Sequence, residues 1–420
     1  MLLNINIPES DKKRIVIVGC GFAGLTIAKS LSKSNFQVVV IDKNNFHQFQ
    51  PLFYQVATAG LEPRDITFPV RKIFQHYKDF YIRIAEVSKV NSEVNEIETN
   101  LGNLKYDYLV LANGADTSFF GLQNIQKYAK PMKNVYESVS LLWDILQNME
   151  DALTSDEKEE LMNIVVVGGG PTGVEISGAL AEMKKFVFPK DYPEIDCNKI
   201  NIYLIEASPK LLGSMSEKSS AKSAAFLRKM GVNVLTSTAV KDFDGHLVTL
   251  GDGKTIKSKT LIWAAGIQGN FVNGINANNY TRSNRILVDK YNKVNNYQNI
   301  FALGDIACMI TDNYPNGHPQ VAQVAIQQAK NLAKNLKNNS WKEFVYKDLG
   351  SMATIGRNKA VVDLKYIHFD GFIAWLVWML IHLRSIFGVK NKILIFINWV
   401  WSYLTYDQSL RLLFKPFRKQ

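Results

Sequence analysis

The chain is short of the residues that would staple it or hold a metal. Three cysteines in 420 residues, Cys20, Cys197 and Cys308, lie far apart and form neither Cys-x-x-Cys nor Cys-x-x-x-x-Cys. They offer no redox or zinc motif and suggest a reducing compartment. His47, His76, His246, His318, His368 and His382 are scattered without ligand-like spacing, so no metal is expected. No uncharged apolar run reaches the roughly 20 residues needed to cross a bilayer. Met1–Asp11 has neither a basic segment leading into an apolar core nor an Arg-rich, acid-free composition, so no secretory or transit leader is expected. Acidic charge is in deficit: Lys+Arg 49 against Asp+Glu 38 leaves +11, which suits an anionic surface. Nothing in the pattern calls for nucleic acid.

What is present begins at Ile15-Val16-Ile17-Val18-Gly19-Cys20-Gly21-Phe22-Ala23-Gly24. A four-residue apolar run enters Gly-x-Gly-x-x-Gly, and Leu25–Leu31 follows with apolar residues at helical spacing. The spacing predicts strand, tight turn and helix. The first glycine permits the turn, the second lets backbone approach a pyrophosphate, and the third lets helix and strand pack closely, with N–H groups and positive dipole at the helix start. A second strand, Gln37–Ile41, ends on Asp42, 23 residues past Gly19 and near the place of a ribose-binding acid. The aromatic and amide-rich stretch Lys43–Ile66 reads either as cofactor-facing or as a packing loop. Tyr81–Val87 and Tyr106–Leu111 are predicted strands, the second ending in the small-residue turn Ala112-Asn113-Gly114.

The opening pattern recurs. After a helical stretch, 136–155, and a charged linker, 155–160, Ile164-Val165-Val166-Val167 leads into Gly168-Gly169-Gly170-Pro171-Thr172-Gly173 and a helix over Val174–Leu180. The strand Ile202–Ile205 then ends on Glu206, 38 residues past Gly168, a spacing that an inserted loop over Phe186–Lys199 explains. Two such units bind two nucleotides. A carboxylate at each strand end accepts from a ribose 2′-hydroxyl and repels a 2′-phosphate, so Glu206 favours NADH, with Lys210 nearby as the opposing feature. Trp263-Ala264-Ala265-Gly266 closes the second unit as Ala112-Asn113-Gly114 closes a strand in the first. A strand ending in Gly304-Asp305 is where two-dinucleotide flavoproteins hold the ribityl chain, which makes the first nucleotide FAD. The fold class is α/β: two Rossmann-like dinucleotide-binding domains.

From Phe372 the composition changes. Phe372–Ile381 and Ile393–Leu404 are apolar and hold Trp375, Trp378, Trp399 and Trp401, four of the seven tryptophans. Between Gly371 and Gln420 stand Arg384, Lys390, Lys392, Arg411, Lys415, Arg418 and Lys419 against Asp407 alone. Short apolar helices, tryptophan and local positive charge predict a C-terminal helical segment lying on an anionic membrane surface. A buried hairpin or a dimer contact is the alternative.

With Phe49-Gln50-Pro51-Leu52-Phe53-Tyr54-Gln55-Val56-Ala57 and Ala322-Gln323-Val324-Ala325-Ile326-Gln327-Gln328 added to these motifs, nearly all of the chain resembles type II NADH dehydrogenase, the single-subunit, non-pumping NADH:quinone oxidoreductase. One departure is Asn113, where relatives often carry Thr. The resemblance implies that FAD is held by Gly19, Gly21, Phe22, Ala23, Gly24, Asp42, Lys43, Gln55, Val87, Ala112, Gly114, Asp305 and Ala322. It implies that NADH is held by Gly168, Gly170, Pro171, Thr172, Gly173, Glu206, Ala265 and Gly266. Glu175, which as an acid in a first helical turn also suits the macrodipole, is implied in nicotinamide placement or proton delivery. Gln323, Gln327, Lys359 and Val362 are implied at the quinone. The expected domains are 1–125 and 269–343 for FAD, 126–268 for NADH and 344–420 for the membrane. The expected location is the cytoplasmic side of the cell membrane, peripherally bound, with a homodimer compatible. A soluble-acceptor flavin reductase and a non-catalytic FAD/NAD-binding sensor are the rival readings.

Overall fold

The structure, a computed structural model, describes residues 5–406 and 410–413, so Asp407, Lys415, Arg418 and Lys419 of the basic tail lie outside the described residues. The chain packs as two compact units, one of Met1–His47, Phe68–Asp116 and Ile267–Asp348, the other of Gln48–Thr67, Thr117–Gly266 and Leu349–Gln420.

In the first unit a parallel five-stranded sheet runs in the order Ile300–Ala302, Tyr108–Leu111, Arg14–Val18, Gln37–Asp42, Phe80–Ile84. Every residue of Arg14–Val18 is buried, as a central parallel strand covered on both faces requires, hence the unbroken apolar run Ile15–Val18. Val18 pairs with both Ile41 and Leu111, so three strands finish level and their carboxyl ends form one rim. Helix Phe22–Leu31 starts at that rim and packs along helix Ala322–Asn338. The strand predicted over 81–87 is two strands. Phe80–Ile84 belongs to the parallel sheet, whereas Val87 turns to pair with Thr99 in an antiparallel meander of Val87–Asn91, Glu96–Thr99 and Gly102–Lys105.

The second unit repeats the plan: Lys130–Pro131, Thr260–Trp263, Asn163–Val167, Asn201–Ile205, Val232–Leu235, all parallel. It too carries an antiparallel meander, Val240–Phe243, Leu247–Leu250 and Thr255–Lys257. Helix Pro171–Phe186 starts earlier than predicted, with proline at its first position, so Glu175 sits beyond the first turn and the macrodipole reading does not apply. The length before Glu206 is taken up by this longer helix and a packed turn, Phe188–Asp191, whose Phe188 is buried.

A third sheet, Ser351–Gly356, Lys359–Asp363 and His368–Asp370, packs on helix Pro171–Phe186. The approach requires Gly178, where an added Cβ would lie 1.9 Å from the Ile355 carbonyl oxygen. Helix Phe372–Ser385 covers the other side through Ala374, which packs with Ala360 and Val362. Helix Val389–Thr405 is clamped to Gln48–Thr67: the Asn391 amide donates to the carbonyls of Arg64 (3.1 Å), Asp65 (2.8 Å) and Thr67 (3.1 Å), and Asn398 donates to the Asp65 carboxylate at 3.0 Å.

The division therefore departs from the expected boundaries. Residues 48–67 join the second unit because helix Phe53–Ala57 lies against helices Val135–Thr154 and Pro171–Phe186. The tail joins it as well, through the third sheet and the Asn391 clamp. No described helix is long and apolar enough to cross a membrane.

Candidate functional site

Both glycine loops show the same three glycine roles. Gly19 has φ +95°, and a Cβ there would lie 2.4 Å from the Ala112 carbonyl oxygen. Gly24 lies over Gly19, where a Cβ would come within 1.9 Å of its oxygen. Gly21, by contrast, faces open space with nothing within 4 Å. In the second unit Gly168 (φ +110°) abuts Ala264, a Cβ on Gly173 would lie 1.8 Å from the Gly168 oxygen, and Gly170 faces open space. The first and third glycines are required by the protein's own packing. The second is required by nothing in the protein, and it stands where a pyrophosphate would meet the start of each helix.

The strand-end acids act first on the loops. Asp42 accepts from the Cys20 N–H at 2.6 Å and the Asn44 N–H at 2.7 Å, and burial raises its pKa from the usual carboxylate value. Glu206 accepts from the Gly169 N–H at 2.5 Å and from Ser208 N–H (2.7 Å) and Oγ–H (2.6 Å). Each acid thus ties its loop to the next strand. The Nδ1–H of buried His47 donates to the Cys20 carbonyl at 2.9 Å, and burial depresses its pKa and keeps it neutral. Sequence reading missed this support for the loop. Lys43 pairs with Glu86 at 2.7 Å on the surface, and Lys210 pairs with Glu217 at 2.5 Å, which counters its pull on a 2′-phosphate.

The Gly304-Asp305 turn sits between two helix starts: a Cβ on Gly304 (φ +72°) would lie 3.2 Å from Ala325 Cβ and 3.3 Å from Ala23 Cβ. Its N–H donates to the buried Gln328 Oε1 at 2.8 Å. Gln328 was also missed, although with Asn335 it is a polar residue on the buried, mostly apolar face of its helix. Helix Ala322–Asn338 begins at Ala322, with no side-chain cap on its first N–H groups. Asn113 and Asn270 exchange reciprocal amide-to-carbonyl bonds of 2.9 and 2.6 Å beside Gly114, which has φ +69° and open space before it.

Within the second unit, Glu175 lines a cavity together with Tyr54, Gln55, Thr354, Trp378, Trp399 and Tyr403. Glu175 and Glu182, seven residues apart on one helix, both face the third sheet. Glu175 accepts from the Thr354 N–H at 3.4 Å and Glu182 from the Arg357 N–H at 2.5 Å. Burial pushes the Glu175 carboxyl up to about 8, and burial also raises Glu182 against the opposing pull of Arg357. The Arg357 guanidinium stacks 3.7 Å from the Tyr406 ring and donates to the Ser402 carbonyl at 2.6 Å, closing the end of the tail helix. His382 stacks on Trp378 at 4.0 Å, and burial depresses its pKa to about 4.

Three of the expected residues are engaged within the protein itself. Gln55 falls in the second unit and bonds Tyr54 and Trp399. Gln327 spends its amide on the backbone, donating to the Lys347 carbonyl at 2.9 Å and accepting its N–H at 3.0 Å, so it fastens the segment after its own helix. Val362 is wholly buried between sheet and helix and offers no surface to a substrate. Lys359 remains half-buried on the third sheet, its ammonium 3.3 Å from the Arg357 carbonyl. Ala265 closes its strand beside Gly266, which is covered by the ring of Phe120, 2.5 Å from where a Cβ would stand. The three cysteines are free, and no cluster of three metal ligands occurs among the described residues.

Two glycine loops with anchored acids, one per unit, define a protein built to hold two dinucleotides. Residues 13–329 match the family model described as pyridine nucleotide-disulphide oxidoreductase, and 349–406 match the NDH2 C-terminal domain. The type II NADH:quinone oxidoreductase Ndh of Mycobacterium tuberculosis is 32% identical over 94% of this chain and 89% of its own length. The type II NADH:quinone oxidoreductase of Staphylococcus aureus is 29% identical over 84% and 89%. The solved structure of NDH2 from Plasmodium falciparum in complex with NADH shares the fold, with TM-score 0.88 at 22% identity over 96% of this chain and all of that one. The chain belongs to the type II NADH:quinone oxidoreductases.

Proposed function

We propose that the chain oxidises NADH and passes two electrons through FAD to a membrane quinone, without pumping protons, while docked peripherally on the cytoplasmic side of the cell membrane. The observation that carries this reading is the repeated loop, Cys20–Asp42 in one unit and Gly169–Glu206 in the other, which supports one dinucleotide in each. FAD, when bound, supplies the acceptor for the hydride of NADH.

The chain's own residues bind and orient. Gly19, Gly21 and Gly24 with the start of helix Phe22–Leu31 take the FAD pyrophosphate, and Asp305 takes the ribityl hydroxyls. Gly168, Gly170 and Gly173 with Pro171 and Thr172 take that of NADH, and Glu206 takes its ribose. The uncapped start of helix Ala322–Asn338 offers N–H groups and positive dipole to negative charge at the flavin. Glu175, protonated below about pH 8 by its burial, holds a proton in the cavity beside Trp378, which suits quinone reduction. Gln323 and Lys359 are assigned to the quinone on the family resemblance.

Membrane docking is supported by the outer faces of the tail helices. Ile373, Leu380, Val389, Ile393, Phe396, Ile397, Trp401 and Leu404 are exposed at helical spacing, a continuous apolar surface of the kind that marks an interaction site. Neither tail helix carries a carboxylate, and burial keeps His382 neutral, which supports the non-pumping reading. Leu380→Glu with Leu404→Glu should abolish sedimentation with anionic vesicles. If the pair instead dissolves a dimer formed without lipid, a second copy of the chain is the occupant. Proton uptake by sealed vesicles carrying the pure enzyme would contradict the non-pumping reading.

A further inference from the structure

The cavity beside Glu175 contains a hydrogen-bonded chain whose polarity is set at one end. Indole N–H donates and cannot accept. Trp399 Nε1–H, on the tail helix, donates to Gln55 Oε1 at 2.8 Å, so the carbonyl end of that amide faces Trp399. Its NH2 must face the other way, and Gln55 Nε2 donates to the Tyr54 hydroxyl oxygen at 2.8 Å. The reversed amide would set NH2 against indole N–H, two donors face to face. With its oxygen accepting from Gln55, the Tyr54 hydroxyl must send its own proton elsewhere, and among the described residues that proton has no acceptor.

Tyr54 is only 7% exposed, and it lines the cavity together with Gln55, Glu175, Trp378, Trp399 and Tyr403. Burial together with Glu175 and Glu182 pushes its phenol well above the usual range, so the proton is retained at any working pH. A buried donor with no partner costs free energy. The missing partner is an acceptor without a proton of its own, on a flat ring that fits among tryptophans. A quinone carbonyl has that chemistry.

We infer that the Tyr54 hydroxyl is the hydrogen-bond donor this cavity presents to a quinone carbonyl oxygen, with Gln55 and Trp399 as positioning residues that fix its direction from the tail helix. The inference rests on the reading of this cavity as the quinone site.

The test uses the purified full-length enzyme with FAD bound, coenzyme Q1 as the quinone, and ferricyanide as an acceptor that does not need the cavity. Tyr54→Phe should raise the KM for coenzyme Q1 about three- to tenfold, the worth of one neutral hydrogen bond, with KM for NADH, ferricyanide rate and flavin content unchanged. Trp399→Phe should give a smaller rise, and the double variant should be no worse than Tyr54→Phe, because both remove one coupled interaction. Additive effects would overturn the relay. Ser402→Trp, which fills the cavity from the tail helix, should block coenzyme Q1 while sparing ferricyanide. If Ser402→Trp leaves quinone reduction intact, the cavity is not the quinone site and the inference falls with it. If Ser402→Trp blocks but Tyr54→Phe keeps its KM within about twofold of the parent, the site stands and the donor role is overturned.

Discussion

Glu206 accepts a hydrogen bond from the backbone N–H of Gly169 at 2.5 Å, so the acid proposed to meet a ribose also pins the glycine loop. Glu206→Ala removes both contacts. Its KM for NADH should rise about tenfold or more, and the melting temperature should fall, since a buried N–H loses a charged partner worth about 1.5–3 kcal/mol. Steady-state kinetics and thermal unfolding check this; a KM shift with an unchanged melting temperature would show that the loop does not depend on the anchor.

The glycines of one loop should separate folding from binding. Gly173→Ala sets a methyl 1.8 Å from the Gly168 oxygen and should destabilise the second unit outright. Gly170→Ala meets no protein atom within 4 Å and should fold with the parent's stability while NADH affinity falls. Thermal melts beside NADH titration distinguish the two, and an undiminished NADH affinity in Gly170→Ala would remove the pyrophosphate from that place.

Glu175 gives a pH dependence of definite sign. Burial raises its pKa from 4.5 to about 8, so its contribution to stability is complete below 4.5 and is lost as pH rises through about 8. The parent's melting temperature should therefore drop across that window relative to Glu175→Gln, which stays neutral. If Glu175 also holds the proton used at the quinone, the rate with quinone should lose a titration near 8 in the variant. Parallel pH profiles of parent and variant would sink both statements.

Gln328→Leu leaves the Gly304 N–H buried without its acceptor, at a cost of about 1–3 kcal/mol. Because Gly304 lies between the starts of two helices, the defect should appear as faster loss of FAD on dilution or gel filtration, with NADH affinity unchanged. Retention of flavin equal to the parent's would make Gln328 a packing residue only.

The parts of this molecule legible in the sequence are those written over short spans. Gly19–Gly24 and Gly168–Gly173 announce strand, turn and helix because each glycine answers to a neighbour a few residues away. Pro171 also marked its helix start, a signal that proline at a first helical position carries and that the apolar spacing from Val174 obscured. What stayed hidden depends on partners far along the chain. Asn391 reaches Arg64, Asp65 and Thr67, and Trp399 reaches Gln55, so neither residue nor partner has a local pattern. The same distance hid the assignment of residues 48–67 to the second unit. Gln327 and Gln328 show the limit from the other side: two adjacent amides of one motif look alike in sequence, yet one fastens a backbone segment and the other supports the Gly304 turn.

A single chain takes electrons from NADH and gives them to a quinone through its own flavin. An anaerobic titration of the purified enzyme, following flavin absorbance, tests this most directly. NADH should bleach the flavin band stoichiometrically, and coenzyme Q1 added afterwards should restore it. Bleaching without recovery would make the chain a reductase for another acceptor, and no bleaching at all would leave it a binding protein.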